Sequence, residues 1–464
     1  MYAQRILRYG PAYAPTPHPK GTLRNCILDL ERLLQGMSDI QKEYYRWLAS
    51  CKLKKGRDSV QIIRFRDDLS RTAKWIRNNN LTLIRADKTK ALVIMRRETY
   101  EKGLREYIDV TRCVEAENNA IDKIQSKVKQ FSNTKLASRL GIRNIIMDAP
   151  DTPKLFAFAK THKQGQKLRP VVDKARAPTR KLEASLHNII APHLEGYRYT
   201  ISNPTELVEL LKVTEHPTYI TVMDFRTLYP SIEIPPCFCR VRDLLFKILR
   251  NEEFHQQVLE LSHLICYSSI FQFGGVTHMQ GKGVPMGSSV SGDMCELVIR
   301  QLENATLPNF HQNIIIYKRY VDDIIILWRG CPNNSQLLDQ MNNNPYGLTV
   351  EVEQHSDSSV HFLNVNIDFS RPIIQTSVYR KPSDHPTYIT ADSCDPVQYK
   401  MAAFRALVKR AYSHSSTQEA LEHELQFLCK VAKHHGYHNI VQKMSQKFGG
   451  MVELPLLKGV IRNR

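Results

Sequence analysis

The sequence lacks any apolar run long enough to cross a membrane. A transmembrane helix needs about 20 predominantly apolar residues, whereas the apolar run from Ile324 to Trp328 is ended at once by Arg329. The first residues, Met1 to Arg5, do not lead into the apolar stretch of a signal peptide. We therefore expect a soluble protein that does not bind membranes.

The ten cysteines lack the spacing of a zinc or redox site. The closest pair, Cys237 and Cys239, has one residue between its members, whereas the usual C-x-x-C pattern has two. Internal repeats and low-complexity tracts are also missing, and 42% hydrophobic with 24% charged residues is the composition of an ordinary folded protein. These features predict reduced thiols in an intracellular protein, which should have about two to four lobes at this length.

Acidic residues are too few to balance the basic ones. Lysine and arginine number 65 against 46 aspartates and glutamates, which gives a formal net charge of +19 and a pI of about 9.4. Such an excess favours a polyanionic partner such as a nucleic acid. A solvated basic surface without such a partner is the alternative that charge alone leaves open.

Proline distribution and apolar periodicity divide the chain into three parts. Four prolines between residues 11 and 19 predict an extended lead-in without a helix over about the first 20 residues. Basic helical segments follow, including an amphipathic helix over 121–131. Short strand-like runs mixed with helices extend from about Pro150 to Arg380, and two helical stripes return after them, the second ending at Gly436. The predicted class is mixed α+β.

Two adjacent carboxylates stand between two apolar arms. The arms, Ile314 to Tyr317 and Ile324 to Trp328, flank a polar turn with Asp322 and Asp323, so we expect a hairpin with the acids at its tip. Two unit charges ~4 Å apart in a partly buried site repel by roughly 4 kcal/mol, and a divalent cation is the usual remedy. A turn that uses aspartates only because they suit turns is the alternative for this segment alone.

A third acid, Asp224, directly follows the strand-like run from Tyr219 to Met223. If that strand lies beside the hairpin, Asp224 and Asp322 meet at one end of a sheet and can hold two Mg²⁺ ions ~3.5–4 Å apart for in-line nucleotidyl transfer. Magnesium, with Mn²⁺ as a possible substitute, is expected instead of zinc, because the ligands are carboxylates without a histidine or cysteine set.

The residues around these acids resemble the motifs of reverse transcriptases. Tyr320-Val321-Asp322-Asp323 is similar to the Y-x-D-D box, and the segment around Asp224 resembles the first catalytic motif, in which an aromatic residue stands five positions after the aspartate. Tyr229 fills that position, and the resemblance implies that its ring excludes a 2′-hydroxyl. The other roles implied by the resemblance are catalysis by Asp224, Asp322 and Asp323, metal binding by Asp224 and Asp322, and a nucleotide contact by Phe225.

A glycine-rich loop over 280–289 leads into a predicted helix. Ser288 or Ser289 is predicted to cap that helix, and Gly287 would let the backbone approach a ligand closely. Glycines alone are equally typical of a plain loop. The stretch is similar to the G-x-x-M-G-S motif that precedes the Y-x-D-D box in Penelope-like elements, and this resemblance implies nucleotide contacts from Met286 and Gly287.

A dense basic stretch precedes the first acid. Between Lys154 and Lys181 there are nine lysines and arginines against one acid, a density that attracts phosphates, although any single lysine could belong to a solvated charge run. The stretch resembles the fingers motifs of reverse transcriptases, which implies that Arg169 and either Lys160 or Lys163 bind the triphosphate. Arg169 is favoured because its planar guanidinium suits phosphate oxygens.

The resemblance to Penelope-like reverse transcriptases, relatives of telomerase reverse transcriptase, extends from about Asp87 to about Phe448. It implies a right-hand polymerase of the α+β class, with a mainly helical basic region over 1–145, fingers and an antiparallel-sheet palm over 146–390, and a helical thumb over 391–464. The implied partners are an RNA template, a DNA primer and deoxynucleoside triphosphates, and the implied location is the nucleus. The absence of a GIY-YIG endonuclease after the thumb is typical of endonuclease-deficient or truncated members.

Two other functions stay open at this point. A domesticated or degenerate nucleic-acid-binding protein would keep the fold and the charge without catalysis, and the intact acids weigh against it. An RNA-directed RNA polymerase shares the palm chemistry, and the bulky Tyr229 weighs against it.

Overall fold

The computed structural model describes residues 2–9, 13, 27–53, 60–87, 91–161, 167–381 and 388–449. These residues form two compact units. The first unit comprises the described parts of 1–97, 383–410 and 423–464, and the second comprises those of 98–382 and 411–422. Fingers, palm and thumb are functional regions that a grouping by contacts does not test, so their predicted boundaries stay predictions.

Helices and strands alternate through most of the described chain. The α-helices whose two ends both lie in the described residues are Tyr2–Arg8, Asp39–Leu53, Val60–Asn78, Arg97–Val110, Ala120–Ser132, Lys135–Arg139, Arg180–Leu194, Pro204–Lys212, Leu228–Ser231, Ile234–Leu249, His255–Tyr267, Ser291–Thr306, Asn334–Asn342, Val397–His414, Gln418–His434 and Ile440–Gly449. Residues 27–33 are also helical. The strands are Leu81–Arg85, Leu92–Arg96, Val114–Glu115, Lys154–Ala159, Leu168–Asp173, Tyr219–Phe225, Ile270–Phe273, Val276–Met279, Ile314–Tyr320, Asp323–Trp328, Val350–Ser356, Ser359–Phe362, Val365–Asp368 and Gln375–Val378.

The first unit contains helices and one antiparallel two-stranded sheet, Leu81–Arg85 with Leu92–Arg96. Its first helix, Tyr2–Arg8, packs against Val60–Asn78, and Arg5 forms an ion pair with Asp68. The prediction of a lead-in without a helix is therefore wrong. The reason is that the four prolines begin at position 11, so nothing in residues 2–8 interrupts a helical turn.

A four-stranded antiparallel sheet forms the centre of the second unit. Its strand order is Val350–Ser356, Tyr219–Phe225, Asp323–Trp328 and Ile314–Tyr320. The strands Tyr219–Phe225, Asp323–Trp328 and Ile314–Tyr320 contain the apolar runs that the sequence predicted as strands and extend them by one to three residues. The predicted hairpin and its neighbouring strand are confirmed.

Successive side chains of the strand Tyr219–Phe225 point to alternate faces of the sheet, and apolar residues occupy both faces. Met223 and Phe225 pack into the core that the helices contribute, whereas Ile220 and Val222 face a second core that includes the three-stranded sheet Ser359–Phe362, Val365–Asp368 and Gln375–Val378. Successive side chains of a strand point to opposite faces. Asp224 thus shares the face of Ile220 and Val222 and lies at the end of that face.

A five-stranded sheet carries the basic stretch. Its order is Val114–Glu115, Val276–Met279, Ile270–Phe273, Lys154–Ala159 and Leu168–Asp173. Leu104, Tyr107 and Phe271 are buried in the core beneath it. Across the described residues of both units, no helix combines the length and the apolar character that crossing a membrane requires.

Candidate active site

The two acids of the hairpin sit at a tight turn. Asp323 is the cross-strand partner of Tyr320, so the loop between the strands consists of Val321 and Asp322. Val321 has a φ of 56°, which is left-handed backbone that β-branched residues rarely adopt. The turn therefore holds a strained residue directly before Asp322.

Three aspartates meet at the end of the four-stranded sheet. Asp323 lies directly opposite Asp224 in the register of the two central strands, and one carboxylate oxygen from each of Asp224, Asp322 and Asp323 lies within 4.8 Å of the others. The amide of Phe225 donates to the carbonyl oxygen of Asp322 over 3.1 Å. The structure thus brings together Asp224 and Asp322, which the sequence predicted to meet, and places Asp323 beside them.

A fourth acid flanks the cluster, and sequence reasoning missed it. Glu351 is the cross-strand partner of Asp224 on the side away from the hairpin, so it shares the face of the sheet on which Asp224 lies. Its carboxylate accepts a hydrogen bond from Arg226 over 3.1 Å, and both side chains are more than half exposed. The alternation within Thr349 to Val352 could have placed Glu351 on this face.

Tyr229 lies on the short helix Leu228–Ser231, which follows Asp224 closely. Its ring packs against the helical core, and burial, with smaller contributions from neighbouring Cys295 and Asp322, raises the pKa of Tyr229 to about 12. The charge of Arg169 lowers this pKa and therefore also acts at Tyr229. The phenol is thus protonated at physiological pH and lies within electrostatic reach of both the acid cluster and the basic strand.

The glycine-rich loop contacts both Tyr229 and the strand of Arg169. The amide of Val284 donates to the carbonyl oxygen of Tyr229 over 2.8 Å, and the amide of Val172 donates to the carbonyl oxygen of Met286, also over 2.8 Å. Gly287 has a φ of 124°, and a Cβ atom there would lie 2.1 Å from the carbonyl oxygen of Val172. Only glycine fits this approach.

The predicted serine caps are wrong. The N-cap of the helix Ser291–Thr306 is Val290, and no side chain caps it. Ser288 instead donates to the buried carboxylate of Glu183 over 2.7 Å, and Ser289 accepts from Arg180. Glu183 is 2% exposed, so its carboxylate requires buried donors. Ser288 supplies one with its proton, while its oxygen accepts from the amide of Val290 over 3.4 Å.

The remaining predicted nucleotide-binding residues have different surroundings. Arg169 is half-buried in the strand Leu168–Asp173 opposite Phe158, and Lys160 follows the neighbouring strand, with its amide donating to Lys167. Lys163 lies outside the described residues. Phe225 is 2% exposed, so its side chain packs in the core and only its backbone reaches the site.

Two regions of the chain match known families. Residues 161–366 match the family model described as reverse transcriptase (RNA-dependent DNA polymerase), and residues 387–442 match the animal helix-turn-helix domain. The second match spans the helices Val397–His414 and Gln418–His434, which three residues join. No curated protein matches the chain in sequence.

Solved polymerase structures are among those that the chain resembles. Telomerase from Candida albicans, in complex with a TWJ fragment of telomeric RNA, aligns over 96% of this chain and 72% of its own, with 12% identity and a TM-score of 0.54. Apo telomerase from Candida tropicalis aligns over 86% of this chain and 72% of its own, with 11% identity and a TM-score of 0.46. The RNA-dependent RNA polymerase of a human picobirnavirus aligns over 90% of this chain and 87% of its own, with 13% identity and a TM-score of 0.46.

The chain therefore has a mixed α+β polymerase fold. Residues 161–366 form an RNA-dependent DNA polymerase domain of the reverse transcriptase type. This domain implies binding of a nucleic-acid template and primer, and it contains the three-aspartate cluster as its candidate catalytic centre.

Proposed function

We propose that this chain is the reverse transcriptase of a Penelope-like retroelement and extends a DNA primer on an RNA template with deoxynucleoside triphosphates. The observation that carries the proposal is the meeting of Asp224, Asp322 and Asp323 at one end of the sheet, within the reverse transcriptase domain. The retroelement origin rests on the motif resemblance over 280–289 and 320–323, and residence in the nucleus follows from that origin.

The aspartates fit divalent cations of the magnesium type. All the donors are carboxylate oxygens, within 4.8 Å of one another, and such hard oxygen ligands suit Mg²⁺ or Mn²⁺. Asp224 and Asp322 would hold two ions, with Asp323 beside them. When bound, ions at this position supply activation of the primer 3′-hydroxyl and neutralisation of charge on the departing pyrophosphate.

The chain's own residues would orient the incoming nucleotide between the acids and the basic strand. Arg169, with Lys160 or Lys163, would bind the triphosphate, because guanidinium and ammonium groups suit phosphate oxygens. Tyr229 would stand against the sugar and exclude a 2′-hydroxyl. In support of these roles, Tyr229 is within reach of the charges of both Asp322 and Arg169.

The glycine-rich loop would complete the nucleotide site. Hydrogen bonds join it to Tyr229 on one side and to the strand of Arg169 on the other, so Met286 and Gly287 lie between two segments that we assign to nucleotide binding. The backbone of Phe225, which contacts Asp322, would border the site on the metal side. In the same proposal, 146–390 are fingers and palm, 391–464 are the thumb, and 1–145 are a mainly helical basic region that precedes them.

Primer extension on an RNA template tests the proposal. With Mg²⁺, the protein should incorporate deoxynucleotides and not ribonucleotides, and Asp322→Asn should abolish extension while binding of the primer-template, measured by fluorescence anisotropy, persists. Asp339→Asn, on the exposed face of the helix Asn334–Asn342, makes the same chemical change away from the site and should extend normally.

The outcomes separate the competing functions. Binding without any extension by the unmutated protein would indicate a non-catalytic nucleic-acid-binding protein. If the protein extends the primer with ribonucleotides as efficiently as with deoxynucleotides, it is an RNA-directed RNA polymerase. Extension that survives Asp322→Asn would remove the aspartate cluster from the reaction.

A further inference from the structure

A buried charged cluster lies beneath the hairpin, on the face of the sheet that the helix Ser291–Thr306 covers. Arg319, in the strand Ile314–Tyr320, has a fully buried side chain, as does Glu303 of that helix. Nε of Arg319 donates to Glu303 over 2.7 Å, and the two terminal nitrogens donate to Glu296 over 2.9 and 3.0 Å. The cluster joins the hairpin to the helix that follows the glycine-rich loop.

Arg319 also holds the backbone of the catalytic turn. Its Nη1 atom donates to the carbonyl oxygen of Val321 over 3.0 Å. That carbonyl belongs to the peptide group that precedes Asp322, while the carbonyl of Asp322 itself accepts from the amide of Phe225 over 3.1 Å. The peptide groups on both sides of Asp322 are therefore fixed, one by Arg319 and the other by the central strand.

The donor geometry explains why arginine occupies this position. A guanidinium carries five N–H donors in a fixed plane, and Arg319 makes five hydrogen bonds, four to the two glutamates and one to Val321. A lysine at the same place has three donors on a flexible stem. It could neutralise a glutamate, but it could not bind both carboxylates in this pattern and also hold the turn.

A contribution to stability alone does not account for the arrangement. Buried ion pairs are weak evidence for stability, because apolar residues of similar volume often stabilise a protein as well or better. The turn, by contrast, requires an external hold, because Val321 has a φ of 56° and strained backbone persists only where its surroundings determine it. The bond from Arg319 to Val321 supplies that hold.

We propose that Arg319 is a positioning residue for Asp322: braced by Glu296 and Glu303, it fixes the turn so that the carboxylate of Asp322 stands ready beside that of Asp224 to bind a divalent cation. This proposal rests on the assignment of the aspartates as the metal site of a polymerase. Arg319 itself contacts neither the cation nor the nucleotide, so its substitution should weaken metal binding in the absence of any substrate.

Arg319→Lys tests this role, with Tyr317→Phe as the matched control. The hydroxyl of Tyr317 donates to Glu303 over 3.0 Å, so the control removes one bond from the same buried cluster without affecting Val321. Mn²⁺ binding to the full chain, measured by electron paramagnetic resonance without nucleotide, should weaken about 10- to 100-fold in Arg319→Lys. The rate of primer extension by Arg319→Lys should fall by a similar factor, while its affinity for the primer-template should stay within about twofold of that of the unmutated protein. In Tyr317→Phe, Mn²⁺ binding, primer extension and primer-template affinity should all stay within about twofold.

Glu296→Gln provides a second variant if Arg319→Lys does not fold. Glu296 is partly exposed, and the substitution keeps one acceptor for Arg319 but removes the paired charge, so Mn²⁺ binding should weaken by a smaller factor. Unchanged Mn²⁺ binding in a folded Arg319→Lys or Glu296→Gln protein overturns the proposal. Equal losses in Tyr317→Phe also overturn it, because they would show a general effect of stability. If the unmutated protein binds Mn²⁺ but extends no primer, the proposed function fails and the metal-binding comparison still decides the role of Arg319.

Discussion

Gly287 approaches Val172 so closely that a Cβ atom on Gly287 would lie 2.1 Å from the carbonyl oxygen of Val172. The amide of Val172 donates to Met286 in the same contact. The glycine-rich loop and the strand that carries Arg169 are thus packed backbone against backbone. A change in one of them must displace the other, which links two segments that we assign to nucleotide binding.

Gly287→Ala should separate the loop from this strand. The methyl group cannot fit at 2.1 Å, so we expect the KM for deoxynucleotides to rise by about tenfold or more, because displacements of about 1 Å are costly in a preorganised site. The control is Gly330→Ala, since Gly330 also has a positive φ, of 77°, but no atom lies within 4 Å of its added Cβ. Gly330→Ala should lose about 1–2 kcal/mol of stability from backbone strain and keep the KM. Equal KM values in both variants would show that the close contact does not matter for the nucleotide.

Tyr229→Ala should relax sugar selection. Removing the ring opens the space that a 2′-hydroxyl would need, so we expect the preference for deoxynucleotides over ribonucleotides, as the ratio of kcat/KM values, to fall about 10- to 100-fold. Tyr229→Phe keeps the ring and should keep the ratio, because the exclusion is steric and the phenol, with a pKa of about 12, takes no part as an acid near neutral pH. A similar loss in both variants would assign selection to the hydroxyl.

Glu183→Gln should destabilise the protein strongly. The carboxylate of Glu183 pairs with Lys174, and both side chains are at most 5% exposed; it also accepts from Thr179 over 2.6 Å and from Ser288 over 2.7 Å. Glutamine would leave the ammonium group of Lys174 buried without a counter-charge, so the free energy of unfolding should fall by about 3–5 kcal/mol in chemical denaturation. Adding Lys174→Met should recover much of that loss. A double variant as unstable as the single one would contradict this explanation.

Local patterns in the sequence predicted the central sheet and its acids, but not the contacts that hold them in place. Apolar arms around Asp322 and Asp323 predict a hairpin, and a similar short apolar run predicts the strand before Asp224. Ser288 lies 105 positions from Glu183, so its hydrogen bond to that carboxylate is a tertiary contact without a local signal. Arg319 lies in the stretch that the sequence predicted as a polar turn, and only the structure places it in a strand, facing the glutamates of the helix Ser291–Thr306.

His361 should make stability depend on pH. Its ring stacks on Tyr379 with centroids 3.7 Å apart, and burial, together with the charge of Lys381, lowers the pKa of His361. A histidine whose pKa is lower in the folded state contributes its full stability above the unfolded value of about 6.5 and loses it as the pH falls through the folded pKa. We expect the Tm to fall from about pH 7.5 to about pH 5.5, and to fall less in His361→Phe, which keeps the stacked ring. Equal pH dependence in the two proteins would assign the effect to other groups.

Asp322→Asn should stabilise the protein in the absence of metal. Three carboxylates within 4.8 Å of one another repel, by up to roughly 4 kcal/mol for a partly buried pair ~4 Å apart. Removing one charge should therefore raise the Tm in EDTA, by about 1–2 °C for each kcal/mol in a chain of this size. Saturating Mg²⁺ should raise the Tm of the unmutated protein, because a ligand that binds only the folded state stabilises it, and should raise that of the variant much less. The order of stability would then reverse between chelator and metal. Asp339→Asn, on an exposed helix face, should follow the unmutated protein in both conditions. Two results would contradict this prediction: a lower Tm of Asp322→Asn than of the unmutated protein in EDTA, or an equal rise of the Tm with Mg²⁺ in both proteins. Either result would show that repulsion among the three acids does not destabilise the metal-free protein.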